Sequence, residues 1–448
     1  MTTMTAPTTP ATRGGRAPHV VVVGAGLAGL TTALRLRRRG AEVTLVTKGV
    51  GGLQLSQGTV DVLGYDPQRV ARPFDALPGW IESHPEHPYA RIGVEAVREG
   101  VDLLCELAGP DLLVRPGDDN VSLPTAVGAL RPTAAVPPSM INGEVRDGSR
   151  FVIIGVSQYK DFHPMLIAGN LARTTLPDGG HVEARAVMVD FEPREGEYDA
   201  SGLTLARALD DPHTRRTFAR GLKGFVNPGE IVGLPAVLGI DHHTDTIAEI
   251  AQILGAPVFE IASLPPCVPG MRLNEHLVRM VKQERVDFIL GSKVIGGRAR
   301  DGRLESVTLH TAGHERELHA DAFVLAGGGF ESGALRLDSH GHLHETILDL
   351  PVALPEGVGP DELIHGDYWG DPQPLFRCGL AVDDQMRVLD GDRPVHPNVH
   401  AVGGVLAGAT RWKEKSGEGI ALGSAVKAAD AIMATLGVAD APQASERN

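Results

Sequence analysis

Six residues near the start of the chain have types and spacing suited to one task. Gly24-Ala25-Gly26-Leu27-Ala28-Gly29 follows a short β-branched run, His19 to Val23, and opens a helix. Glycines at these positions let a backbone turn sharply and approach a phosphate, which then rests on the helix N-terminus. The strand–turn–helix context adds weight that a bare G-x-G-x-x-G lacks. A dinucleotide site of this type expects an acidic residue at the end of the second strand, for the ribose hydroxyls. That stretch reads Leu45-Val46-Thr47-Lys48, with Thr47 where the acid would stand. The phosphate half of the site is intact and the adenosine half weakened. FMN fits this pattern, and FAD held without the carboxylate is the alternative.

Later glycines extend the argument. Phe323 to Gly329 and Asn398 to Gly404 each read as a strand ending in glycines. Gly327, Gly328, Gly403 and Gly404 resemble the late motifs of two-dinucleotide-domain flavoproteins, although Gly404 replaces the usual acid. A helix beginning near Gly419 would turn its positive end to the flavin pyrimidine ring, stabilising negative charge that develops there on reduction. Between these, the loop Lys48 to Gly58 offers small residues to an isoalloxazine edge, with Gly52 and Gly58 for close approach and Ser56 or Gln57 as donors.

Groups for catalysis are less distinct. His242 and His243 follow an expected strand end and are candidate bases. Arg272, Arg131, Lys160 and Lys293 are candidate phosphate ligands. His340, His342 and His344 alternate, but Gly341 between them favours a solvated loop over metal ligation. No metal site is expected. The three cysteines, Cys105, Cys267 and Cys378, are too few and too dispersed for a disulfide framework or an iron–sulfur cluster, which suits a reducing cytoplasm. A net charge of -14 excludes a basic nucleic-acid footprint. No apolar stretch reaches the ~20 residues of a membrane span.

These groups need a scaffold to bring them together. Patterning predicts an α/β fold with a Rossmann-like, two-part flavin-binding core and an inserted α/β cap. The core takes residues 18–75 and 289–436, and the cap 76–288. A disordered arm covers 1–17 and a loose tail 437–448. Helices are expected at Ala28 to Arg39, Thr244 to Leu254, Met271 to Gln283 and Gly419 to Thr435. A β-meander is expected near 294–311, and a charged connection poor in large apolar residues over Arg194 to Arg220.

With these residues in view, the chain resembles the B subunits of the anaerobic glycerol-3-phosphate dehydrogenases. The resemblance runs over most of 18–436. It is carried by the Gly24 to Gly29 turn, Lys48 to Gly64, His87-Pro88-Tyr89, Ile154 to Ser157, Leu264 to Leu273, and the Gly327 and Gly403 segments. Lys48 to Gly64 and Pro265 to Leu273 are the most specific parts. The resemblance implies an FMN-containing polypeptide, paired with an FAD-containing catalytic A subunit and an iron–sulfur C subunit that serves as membrane anchor. It implies oxidation of glycerol 3-phosphate to dihydroxyacetone phosphate, or relay of the electrons, with quinone as indirect acceptor. It also implies a cytoplasmic chain held at the inner face of the membrane only through a partner. The alternatives are a stand-alone FAD oxidoreductase of the fumarate reductase or aspartate oxidase type, and a non-redox interaction subunit.

Overall fold

The computed structural model describes residues 16–177, 179–367 and 370–438. The expected arm and tail therefore lie almost wholly outside the described residues.

Strand β1 (His19–Val23) is four valines after a histidine, and its apolar residues are buried. Such continuous runs suit a parallel strand covered on both faces. Helix α1 (Leu27–Arg38) follows the glycine turn, burying Leu30, Ala33, Leu34 and Leu36. It ends in Arg35, Arg37 and Arg38, whose charge opposes the negative end of its dipole. Strand β2 (Glu42–Thr47) and helix α2 (Val94–Ala108) come next.

The inserted region supplies β3 (Arg150–Val156), β4 (Glu183–Val189), β5 (Ile231–Pro235), helix α3 (His243–Leu254) and β6 (Val258–Ile261). Its strands form an all-parallel sheet in the order β6-β5-β3-β4. The chain returns through α4 (Val268–Gln283) and β7 (Asp287–Leu290). The antiparallel meander β8 (Lys293–Arg300), β9 (Arg303–Thr311) and β10 (His314–His319) is present as expected. Strands β11 (Ala322–Leu325) and β12 (Val399–Ala401) and the long helix α5 (Gly417–Thr435) complete the core.

The main sheet has the order β7-β2-β1-β11-β12, all parallel. The chain builds outward from β1 on one side, then crosses to the other. A crevice opens at the carboxyl ends of strands where the order reverses, here between β1 and β11. Helix α5 is rich in small residues and packs closely on both α1 and α2. A Cβ on Gly100 of α2 would lie 2.6 Å from the Leu422 carbonyl carbon. Arg35 of α1 grips Asp430 of α5 through two bonds of 3.0 Å.

Two features differ from the sequence expectation. The insertion is narrower than 76–288, because α2, α4 and the helix Pro73–Ser83 bury Phe74, Leu77, Leu104, Leu277 and Val281 in the first core. The second core draws on Leu130 to Ile261. The stretch 194–220 also holds two helices, Gly202–Asp210 and Pro212–Leu222. Ser201 and Asp211 cap them, accepting from the Thr204 and Thr214 N–H groups. Only a few apolar residues, among them Leu205, Leu209, Phe218 and Leu222, hold them to the sheet.

Candidate functional site

A cleft of about 900 Å³ runs along the carboxyl ends of β1, β2 and β11. One wall is the glycine turn. Gly24 has φ +112°, and a Cβ there would sit 2.2 Å from the Ala326 carbonyl oxygen, so the turn and the end of β11 touch through bare backbone. Gly29 closes the same turn, with 1.9 Å between its hypothetical Cβ and the Gly24 oxygen. Gly26 meets nothing within 4 Å. Helix α1 carries no side-chain cap and no acid in its first turn. Its orphan N–H groups and positive dipole end are thus left for an anion. These features fit a cofactor phosphate.

Of the residues expected to bind cofactor, Gly24, Gly26, Thr47, Lys48, Gly52, Ser56, Gly327, Gly328 and Gly404 line the cleft. The Thr47 hydroxyl donates to the Gly49 carbonyl at 2.6 Å, shaping its own loop. Gln57, Gly58, Gly403 and Gly419 lie behind the lining, alongside Gly29. The Gln57 oxygen accepts from Arg131 at 2.8 Å. Gly58 packs on Pro269, and Gly403 donates its N–H to the Ser424 hydroxyl. A Cβ on Gly419 would lie 2.2 Å from the Tyr89 oxygen. The segments Lys48 to Gly64 and Pro265 to Leu273 dock on one another. A Cβ on Gly270 would come within 2.3 Å of the Ser56 oxygen, and the Cys267 N–H reaches Gln54 at 3.2 Å.

The expected catalytic residues lie elsewhere. His242 precedes α3 at the surface, and His243 bonds the Asp111 carbonyl at 3.0 Å. Burial, then the charge of Arg272, lowers the proton affinity of His243. Arg272 is buried and spends its donors on Glu260 at 2.7 and 2.9 Å and on the Gly239 carbonyl at 2.8 and 2.5 Å. With four of its N–H groups committed there, its buried charge is already paired and it does not serve as a phosphate ligand at the cleft. None of these three borders the cleft. Lys160 turns to the Ser157 carbonyl, whereas Lys293 does reach the cleft wall. The three alternating histidines ring Asp338, whose carboxyl accepts from the His340 and His342 N–H groups and from the His344 ring. Among the described residues no cluster of His, Cys, Asp and Glu could hold a metal. The cysteines are all free.

The cleft also holds residues that sequence reasoning misses. Gly417, Glu418 and Ala421, at the start of α5, line it. The helix does present its N-terminus, led by Gly417 and Glu418. Glu418 accepts from the Asp61 N–H at 3.3 Å. Burial and the neighbouring Asp61 push its carboxyl up to about 7. Asp61 is 1% exposed, and Arg131 binds one of its oxygens at 2.7 and 2.5 Å. The other oxygen, Oδ1, is buried without a partner. Arg411 and Glu331, both on the cleft lining, pair at 3.4 Å. The guanidinium fills the space a side chain on residue 404 would take, 2.3 Å from that Cβ position. A lone glutamate in a small-residue helix start is the one signal in the sequence for this end.

Comparison with known proteins fits this geometry. The model of the FAD binding domain family matches residues 19–420. A protein of Yersinia pestis, named as the B subunit of an anaerobic glycerol-3-phosphate dehydrogenase, is 29% identical over 434 residues, covering 94% of this chain and 99% of its own. A protein of the same name from Pectobacterium atrosepticum is 30% identical, covering 92% of this chain and 98% of its own. The solved 3-ketosteroid delta1-dehydrogenase from Sterolibacterium denitrificans aligns with a TM-score of 0.43 and 12% identity, over 93% of this chain and 99% of that one. A flavin-binding core with these relatives over nearly its whole length belongs to the FAD binding domain family and, within it, to the B-subunit family of the anaerobic glycerol-3-phosphate dehydrogenases.

Proposed function

We propose that this chain is the flavin-carrying redox subunit of an anaerobic glycerol-3-phosphate dehydrogenase, oxidising glycerol 3-phosphate to dihydroxyacetone phosphate within a complex that delivers the electrons towards quinone. The observation that carries the reading is that one cleft brings together a phosphate-ready helix end at Gly24 to Gly29 and a second helix end at Gly417 to Ala421. A bound flavin would supply hydride acceptance. The glycine turn and the α1 N-terminus would hold its phosphate, and the α5 N-terminus would face its ring.

We read the cofactor as FAD rather than the FMN that Thr47 suggests. Beyond the phosphate position the cleft continues past Thr47, Lys48, Ser292 and Val294, which leaves room for an adenosine. The absent ribose carboxylate supports FMN instead, so the cofactor's identity is part of the test. The relatives' names, as a B subunit, support further subunits; a second flavoprotein subunit and an iron–sulfur anchor are the partners we infer from the sequence resemblance. No described helix is long and apolar enough to cross a membrane, so a partner would provide any attachment.

The experiment is an absorption spectrum of the purified chain, chromatography of the acid-released cofactor, and anaerobic addition of glycerol 3-phosphate to the chain co-purified with its partners. Bound FAD bleached by the substrate supports the reading. Released FMN restores the expectation drawn from Thr47. A folded chain without flavin favours the non-redox interaction subunit and overturns the proposal.

A further inference from the structure

Oxidation of a secondary alcohol needs a base for the hydroxyl proton, and the histidines expected to supply it do not reach the cleft. The α5 end of the cleft supplies a different group. Glu418 is among the residues that line that end, and its carboxyl accepts the Asp61 N–H at 3.3 Å. Behind it lies Asp61, almost wholly buried, with Oδ2 held by Arg131 and Oδ1 without any partner. A buried carboxylate oxygen left unpaired is costly. A proton on Glu418, whose carboxyl lies against the Asp61 N–H, would remove the like charge next to that unpaired carboxylate, which makes Glu418 a place where a proton is stored.

We propose that Glu418 is the group that accepts the proton released from a hydroxyl-bearing substrate at the α5 end of the cleft, and that Asp61 and Arg131 are its positioning residues. The proposal rests on the functional reading above. In the step, the substrate O–H bond breaks and a carboxyl O–H bond forms on Glu418. A bound flavin would supply the two-electron acceptance that balances the step, taking the carbon's hydride as the C=O bond forms. The base is then restored by loss of its proton to water.

The surroundings are consistent with a poised acid rather than a fixed ion. Burial and then Asp61 raise the proton affinity of Glu418, and Arg131 lowers it. Lys415, in the turn just before α5, is a cation acting on both acids, its own proton affinity lowered first by burial and then by Arg131. Tyr89 packs beneath the helix start, its hydroxyl donating to the Val62 carbonyl at 2.5 Å and the Ser416 carbonyl at 3.1 Å. Behind it, Glu414 is paired with His87 at 3.1 Å. The Arg131 guanidinium is occupied by Asp61 and Gln57, so it fixes the pair in place rather than titrating with it.

The test uses the full chain with its flavin and co-expressed partners, in wild-type, Glu418→Gln and Asp61→Asn forms. The rate of flavin bleaching by glycerol 3-phosphate is followed against pH. In parallel, the protonated-carboxyl band is followed by infrared difference spectroscopy without substrate. The wild type should show an inflection near 7 in both. Glu418→Gln should lose the band and the inflection, with bleaching slowed ~100-fold or more and bound flavin retained. Asp61→Asn should move the inflection to lower pH, a shift that a purely structural role would not produce. Should Glu418→Gln fail to hold flavin, the infrared band of the wild-type and variant proteins stripped of flavin decides the assignment. A Glu418→Gln protein with the wild-type pH profile, or an unchanged band, overturns the proposal. A wild-type flavin that glycerol 3-phosphate does not bleach instead overturns the functional reading beneath it.

Discussion

Two arginine–carboxylate pairs, each with a carboxylate buried in the fold, do different things in this molecule. Where α4 of the core meets β6 of the inserted sheet, Arg272 binds both oxygens of Glu260, with the Gly239 carbonyl and the Leu238 N–H completing the cluster. Burial alone would raise the Glu260 carboxyl, but Arg272 overrides it and holds the group below its usual range. Beside the cleft, Arg131 holds Asp61 as tightly, yet Asp61 keeps an unpaired oxygen and Glu418 is pushed up to about 7. Completeness separates the two. A satisfied network is fixed and structural, whereas one lacking a proton's worth of hydrogen bonding is open to chemistry.

The sharpest way to break the comparison is to cut the complete pair. Arg272→Met leaves Glu260 as an uncompensated buried charge and should cost about 3–5 kcal/mol, read as a lowered urea midpoint. The double variant Arg272→Met, Glu260→Gln should recover much of that loss. Neither should move the pH inflection of the cleft. A shift in that inflection on cutting Arg272 would mean that the two clusters are one network.

The incomplete pair should instead declare itself through pH. The folded Glu418 carboxyl lies near 7, above the 4.5 of an ordinary glutamate. Between those values the folded state binds more protons than the unfolded one, so stability falls as pH rises. The contribution is fully present below about 4.5, is lost progressively up to about 7, and changes no further above it. Its size is on the order of 3 kcal/mol at most. Glu418→Gln should flatten that slope and unfold at higher denaturant than wild type above pH ~8. A variant that keeps the wild-type slope would place the titrating group elsewhere.

The difference between the clusters also explains what can be read from sequence. The phosphate end is legible because its logic is local: strand, glycine turn and helix lie within His19 to Arg38, and the structure forms them in that order. The elements are largely legible for the same reason, through apolar period and β-branched runs. Arg272 resembles a phosphate ligand in sequence because its partner Glu260, on another element, is invisible to a residue-by-residue reading. Glu418 escapes notice because its proton affinity depends on Asp61, 357 positions earlier. Long-range desolvation and pairing leave no periodic trace in sequence. The helices of 202–222 are hidden differently, their apolar stripe being thin and their caps ordinary polar residues.

The smallest effect compares two adjacent glycines at the end of β12. Gly403 has φ +74°, and a Cβ there would sit 2.8 Å from the Ala28 Cβ, against the start of α1. Gly403→Ala therefore strains the backbone and pushes on packed structure, and should cost about 1–2 kcal/mol of stability. A Cβ on Gly404 meets chiefly Arg411, 2.3 Å from Nη1, the far end of a flexible side chain. The Arg411–Glu331 contact is long at 3.4 Å and partly exposed, so moving it costs little. Gly404→Ala should leave the unfolding midpoint within about 0.5 kcal/mol of wild type. Because Arg411 sits on the cleft wall, its displacement should still weaken flavin binding by a few fold, read as fluorescence recovery on dilution. Equal flavin affinity in Gly404→Ala and wild type would show that the guanidinium only fills space left by the missing side chain. Weaker binding with an unchanged midpoint would make Arg411 part of the cofactor site, and the glycine at 404 its accommodation.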